Sequence, residues 1–243
     1  MPKATPLHYL RATLFYAGFY PVTILYSAFC LLVGWALPFR PRFKLFTVLN
    51  YFYMIWLRIC CGVRFEVSGL ENLPRSGAYV VVANHQSEWE TLYFQTLVRP
   101  QSVVLKQELL KLPFFGWALA MLQPIALDRS QRRGALKQLL SQGRDRLSQQ
   151  VPVLIFPQGT RVKVGEMGRF NKGGAMLAVD SQVPVVPIVH NAGLYWPGKS
   201  FVKFPGVVQV RIGAPLATVE RSVDDVHRES VAWIEQEMRE IGA

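Results

Sequence analysis

From Ala12 to Leu37 the chain runs for 26 residues without a formal charge. A helix needs about 20 apolar residues to cross the hydrocarbon core of a bilayer, so this run is long enough to do so. A second apolar run, Leu45 to Leu57, falls short of a full span and reads as interfacial or re-entrant. A cleaved signal peptide is the competing reading of the first run. It is too long for an apolar signal core, and no small-residue cleavage site precedes Pro38, which favours a retained anchor.

The charge pattern agrees with a lipid surface. Residues 1–65 carry Lys3, Arg11, Arg40, Arg42, Lys44, Arg58 and Arg64 and no acid, so they hold +7 of the net +11. Basic residues beside apolar runs rich in Trp and Tyr suit an anionic membrane. Nucleic acid would attract the same charge, but these cations are interleaved with a membrane-length run. No zinc-finger spacing or RNA-binding aromatic signature accompanies them, so no nucleic-acid partner is expected. Both flanks of the first run are basic, which leaves its orientation open. Cys30, Cys60 and Cys61 all lie in the anchor region. The globular part therefore has no disulfide framework, as suits a domain facing a reducing cytoplasm.

Two parts are expected: membrane-anchoring helices over residues 1–62 and an α/β domain over 63–243. Strands are read at 63–67, 78–83, 103–106, 153–156, 185–189 and 207–212. Helices are read at 88–98, 134–149, 174–181 and 225–241, the last with Ser222 and Asp225 as a start signal. Residues 109–124, "LLKLPFFGWALAMLQP", read as loop-rich. Strands alternating with helices imply a central, mostly parallel or mixed sheet flanked by helices.

The apolar strand "AYVVVA" ends in Asn84-His85-Gln86-Ser87, which puts His85 at the carboxyl edge of the sheet, where α/β proteins build sites. Glu90 follows inside the first helical turn. A carboxylate on one imidazole nitrogen fixes the tautomer and leaves the other nitrogen to take a proton. Two plainer readings compete: a structural histidine, and a Ser87-x-x-Glu90 capping box. A second strand ends in "FPQGTRV", where Gly159 lets backbone amides approach an anion and Arg161 offers a fork for phosphate. Arg129 in "ALDRSQRR" and Lys172 in "GRFNKGG" add basic residues at other loop boundaries. Together they point to a phosphorylated, acidic substrate, against the alternative of a basic surface facing anionic lipid. The four histidines are dispersed and no Cys/His ligand spacing occurs, so no metal is expected.

These residues resemble the 1-acylglycerol-3-phosphate acyltransferase family. Its Asn-His-x-x-x-x-Asp block is matched by Asn84, His85 and Glu90, with glutamate for aspartate. Its Lys-x-x-Leu…Pro-x-x-Gly-Trp stretch is matched by Lys106, Leu109, Pro113, Gly116 and Trp117, and its following arginine by Arg129. Phe-Pro-Glu-Gly-Thr-Arg is matched by Phe156, Pro157, Gly159, Thr160 and Arg161, with Gln158 for glutamate. Val-Pro-x-x-Pro is matched by Val183, Pro184 and Pro187. The blocks occur in order over about residues 65–215.

The resemblance implies a glycerophospholipid acyltransferase-like fold and acyl transfer from acyl-CoA or acyl-carrier protein to the sn-2 hydroxyl of lysophosphatidic acid, giving phosphatidic acid. His85 is the implied general base and Glu90 its orienting partner. Arg129, Gln158, Gly159, Thr160, Arg161 and Lys172 are implied at the substrate. No cofactor is implied beyond the thioester co-substrate. Membrane lipids, the lysophospholipid acceptor and the acyl donor are the implied partners, at the cytoplasmic side of an inner membrane. Two alternatives stay open: acylation of another lysolipid, such as a lyso-ornithine lipid or lysophosphatidylglycerol, and an inactive membrane-binding scaffold.

Overall fold

The computed structural model describes residues 3–128, 130 and 132–243, and Arg129 lies outside the described residues. The chain opens with two long helices, α1 (Pro6–Val33) and α2 (Phe39–Cys61). They pack antiparallel: Trp56 Nε1 donates to the Phe15 carbonyl at 3.0 Å, Thr23 pairs with the Tyr53 hydroxyl, and the Tyr26 hydroxyl donates to the Leu45 carbonyl at 2.7 Å. The Leu45–Leu57 run is thus the middle of α2.

α1 lacks the apolar-inside, polar-outside division of a helix on a soluble protein. Its protein-facing side includes Thr23 and Ser27, while Leu25, Leu32 and the following Trp35 are 71%, 75% and 77% exposed. Leu7, Leu10, Leu14 and Tyr20 extend that apolar outer side. Among the described residues, Pro6–Ala36 is the one segment long and apolar enough to cross a membrane by length and composition.

The rest follows as β1 (Val63–Ser68), β2 (Val80–Ala83), α3 (Trp89–Leu97), β3 (Ser102–Lys106), α4 (Phe115–Ala120), β4 (Ile125–Leu127), α5 (Arg132–Ser148), β5 (Val153–Ile155), α6 (Gly173–Asp180), β6 (Val185–His190), β7 (Gly206–Ile212) and α7 (Val223–Ile241). The strands form a seven-stranded mixed sheet in the order β1-β7-β6-β2-β5-β3-β4. The five strands from β6 to β4 are mutually parallel, and β7 with its parallel neighbour β1 runs the other way. Alternate residues of the strands supply two cores. Val81, Leu154, Val186 and Ile188 pack with α2 and α3, while Val80, Val82, Val153 and Ile155 pack with α5, α6 and α7. Helices therefore cover both faces, which is why the central strands read as continuous apolar runs.

Ser222 caps α7 as its spacing implied, its hydroxyl accepting from the Asp225 amide at 3.1 Å. Three elements differ from expectation. Residues 107–111 and 115–120 form short helices where a loop-rich stretch was expected, and β4 adds an edge strand of three residues. Long-range packing places the last two: Ala118 and Leu122 close a small core with Cys30, Phe43 and Phe46 of the first two helices, and β4 pairs with β3.

Lys203 ties α1 to the domain. Wholly enclosed, it reaches the Tyr16 hydroxyl and the carbonyls of Ser200 and Phe201, with the rings of Tyr16 and Trp196 at 4.1 and 4.8 Å. Burial pushes its pKa down to about 8 from 10.5. Below the lower value both folded and unfolded chains are protonated and the folded state bears the full cost of the buried charge. Between the two values the unfolded chain holds more protons, so this group adds stability as pH rises. Unfolding followed in detergent at pH 8 to 10 should accordingly show a more positive slope of stability against pH for wild type than for Lys203→Met. Identical slopes would mean that the aromatic cage keeps the ammonium charged.

Candidate active site

The neighbours of β2 in the sheet are β6 and β5, so the loops at their carboxyl ends converge. Asn84 joins the first two. Its Nδ2 donates to the His190 carbonyl at 2.8 Å and its Oδ1 accepts from the His190 amide at 3.0 Å. The buried His190 ring accepts the Ala192 amide at Nδ1 (3.2 Å), so its proton sits on Nε2, 2.9 Å from the Asn84 carbonyl. Burial holds its pKa below the ordinary histidine value, and the imidazole is neutral.

Glu90 lies in the first turn of α3 and is wholly buried. Its Oε1 meets His85 Nδ1 at 2.7 Å and accepts the amides of Gln86 and Ser87 at 3.0 and 2.9 Å. One oxygen therefore performs both roles that the spacing allowed, capping the turn and orienting the histidine. Burial works to raise the Glu90 pKa, but the charge that His190 and His85 take up when protonated, with the His85 and Ser87 hydrogen bonds, outweighs it and holds the carboxyl below its usual value. An ionised carboxylate only accepts, so the His85 proton is on Nδ1. Nε2 carries the lone pair and has no partner among the described residues. The His85 side chain is 16% exposed and its ring stacks on Phe156 with centroids 4.5 Å apart.

The loop after β5 fixes the His85 backbone on both sides. The His85 amide donates to Gln158 Oε1 at 2.7 Å, and its carbonyl accepts the Val162 amide at 2.8 Å. Gln158 is buried, and its Nε2 donates to the Met167 carbonyl at 2.7 Å. Both ends of this amide are thus committed to backbone. Gly159 has φ +71° and its amide donates to the Phe156 carbonyl at 3.0 Å, a left-handed turn suited to glycine. Thr160 is exposed just beyond it. Arg161 Nη1 bonds Glu88 Oε1 at 2.7 Å, which places the guanidinium beside the loop that carries His85.

Lys172 precedes α6 and pairs with Asp224 at 2.7 Å. The neighbouring Asn171 donates twice to the Pro157 carbonyl, from its amide at 3.0 Å and its side chain at 2.7 Å, which ties this segment to the site loop. The fold thus joins His85, Glu90 and Gln158 through direct bonds, and brings Arg161 to the same loop through Glu88. It sets Lys172 one residue from a tether and holds it on a carboxylate. The expected contribution of Arg129 falls outside the described residues.

His190 was set aside in the sequence as one of four scattered histidines, yet its Nε2 is 3.9 Å from Glu90 Oε2. A usable signal was present: "VVPIVH" ends a buried apolar strand in a polar residue, just as "VVVANH" does. The Glu88–Arg161 pair had no such signal, since it depends on which strands are neighbours.

An acyltransferase family model matches residues 64–191, which spans every strand that feeds the site. A 1-acyl-sn-glycerol-3-phosphate acyltransferase of Pseudomonas aeruginosa is 45% identical over 96% of this chain and 91% of its own length. The protein of that name from Saccharomyces cerevisiae is 30% identical over 90% of this chain and 73% of its own. The crystal structure of the 1-acyl-sn-glycerophosphate acyltransferase PlsC from Thermotoga maritima superposes with a TM-score of 0.80 at 25% identity, covering 96% of this chain and 95% of that one.

The bonding of Gln158 gives a test. In Gln158→Glu a carboxylate oxygen would face the Met167 carbonyl with no proton to donate, leaving a buried acceptor unsatisfied at a cost of about 1–3 kcal/mol. The variant should melt lower, and catalysis should fall because the His85 loop is displaced. Unchanged melting and unchanged turnover would show that the amide donor is dispensable.

Proposed function

The chain belongs to the acyltransferase family, and from that premise we propose that it acylates the free sn-2 hydroxyl of 1-acylglycerol-3-phosphate with an acyl group from acyl-CoA or acyl-carrier protein. The carrying observation is the 2.7 Å contact of His85 Nδ1 with an ionised, buried Glu90, which leaves Nε2 as an open base. The names of the relatives support the acceptor, since the bacterial and fungal proteins just described are called 1-acyl-sn-glycerol-3-phosphate acyltransferases.

In this reading His85 Nε2 takes the proton of the acceptor hydroxyl as its oxygen bonds to the thioester carbonyl carbon. The imidazolium so formed is stabilised by Glu90. Collapse of the tetrahedral adduct breaks the carbon–sulfur bond, and the departing sulfur receives the proton from His85, so a free thiol and an ester result. His190, neutral and fully bonded, positions Asn84 and borders Glu90 without exchanging protons with substrate. Arg161 binds the acceptor phosphate. Only one of its nitrogens is engaged by Glu88, and the planar guanidinium has five donors. Lys172, Thr160, the backbone around Gly159, and Arg129 complete the substrate-binding set. Gln158 serves that set by holding the His85 loop through its two backbone bonds.

The outward apolar side of α1, joined by Ile55 and Ile59 of α2 and by Phe114, Phe115 and Trp117 near α4, suits contact with lipid. Both acceptor and product are amphiphiles, and each CH₂ kept out of water contributes about 0.8 kcal/mol. We place the outward side of the helices of residues 1–62 against the membrane and the domain of residues 63–243 on its cytoplasmic side.

A lysolipid panel with a labelled acyl thioester tests the reading. Lysophosphatidic acid should be the preferred acceptor over lysophosphatidylglycerol and a lyso-ornithine lipid, and His85→Ala should lose about 10²–10⁴ in rate. Preference for either rival acceptor would transfer the assignment to it, and absence of turnover with all three would favour a scaffold. Glu90→Gln should depress kcat chiefly, because a neutral amide cannot stabilise the imidazolium. Arg161→Ala should raise KM for lysophosphatidic acid more than for an acceptor without phosphate.

A further inference from the structure

A cavity of about 1000 Å³ lies away from His85. Its lining includes Gly77 and Tyr79 before β2, Pro100 before β3, and Gln150 and Pro152 before β5. It therefore opens at the amino edge of the sheet, the edge opposite the catalytic loops, and extends between α2, α3 and β1. Its size is that of a ligand site.

The walls have a distinct chemistry. Tyr51 and Ile55 of α2 together with Phe65, Tyr93 and Leu97 provide an apolar surface, while Arg40, Arg58, Arg75 and Arg99 supply four cations against the single acid Glu71. Arg40, Tyr51, Ile55 and Arg58 share one face of α2, at separations of 11, 4 and 3 residues. None of the four arginines is in an ion pair among the described residues. Elsewhere Arg144, Arg211, Arg221 and Arg228 each hold a carboxylate. Arg99 bonds the Tyr51 hydroxyl at 3.0 Å and the Lys44 carbonyl at 2.8 Å, yet its Nε is buried without a partner. Among the described residues Arg40 reaches only the Gln150 carbonyl, at 3.4 Å. Uncompensated guanidinium groups around an apolar cleft are complementary to an anion that carries a hydrocarbon chain. The cleft is also continuous with the lipid-facing side of α2, since Tyr51 and Ile55 are 44% and 59% exposed.

We infer that this cleft is a second, non-catalytic site that seats one anionic phospholipid, its phosphate among Arg40, Arg58, Arg75 and Arg99 and a chain along Ile55, Phe65 and Leu97. The inference is independent of the reaction at His85, because the two sites lie at opposite edges of the sheet.

Lipid retention by the full-length chain in maltoside detergent tests it, with native mass spectrometry read against added dioleoylphosphatidylglycerol or dioleoylphosphatidylcholine. Wild type should retain one phosphatidylglycerol, with affinity at least about tenfold above that for phosphatidylcholine. Arg58→Ala/Arg75→Ala should abolish that preference, and Arg75→Ala alone should weaken it should the double variant fail to fold. Arg161→Ala, at the other edge, should leave it intact. Equal retention of both lipids, or loss through Arg161 and not through Arg58 and Arg75, would overturn the site. Inorganic phosphate displacing the lipid at equal concentration would reduce it to a simple anion site. Capture of acyl-carrier protein that depends on these arginines, with lipid retention unaffected by them, would assign the face to the donor protein instead.

Discussion

A single buried carboxylate oxygen organises the catalytic edge. Glu90 Oε1 collects the Gln86 and Ser87 amides and the His85 ring, so the loop's shape and the histidine's tautomer depend on one charge. Enclosing a carboxylate is costly unless donors surround it, and here three donors that must be held in place converge on Oε1, while Oε2 is buried without a hydrogen-bond partner among the described residues. The surrounding bonds extend the arrangement outwards. Asn84 fastens the loop to β6 through His190, and Gln158 fastens it to the segment that ends at Met167. Rigidity at Nε2 thus comes from bonds made behind it, leaving its open side to the substrate.

The glutamate at residue 90 and the glutamine at residue 158 both depart from the family pattern, and the bonding accounts for each differently. Glu90 retains the charge and still reaches His85. Gln158 gives up a charge and uses the donor that replaces it, on the Met167 carbonyl. The second change therefore has a structural reason within this chain and requires no different acceptor to explain it.

What the sequence disclosed was mostly what depends on near neighbours along the chain. The strand–loop–helix around His85, the Glu90 spacing, the glycine turn at 159 and the cap at Ser222 are set within a few residues. Their chemistry is visible in the letters. His190, the Glu88–Arg161 pair and the Gln158–Met167 bond depend on sheet order and on how one loop crosses another, which no local pattern encodes. The short helices at 107–120 escaped because Pro113 and dense apolar residues mask any period, and β4 because three residues are too few to alternate. Exposed apolar side chains on α1 were legible as lipid-seeking, but their partner face, with Thr23 and Ser27 turned inward, was not.

Phe15 is sealed among Tyr53, Trp196 and the strand side chains of the sheet, although it belongs to the first helix of the chain. The interior is thus unfinished until that helix lies down across it. Because the helix carries its greasiest residues on the outside, water offers it poor terms for doing so. That helix is therefore at once a wall of the domain's interior, through Phe15, and, through its exposed leucines, an apolar outer surface.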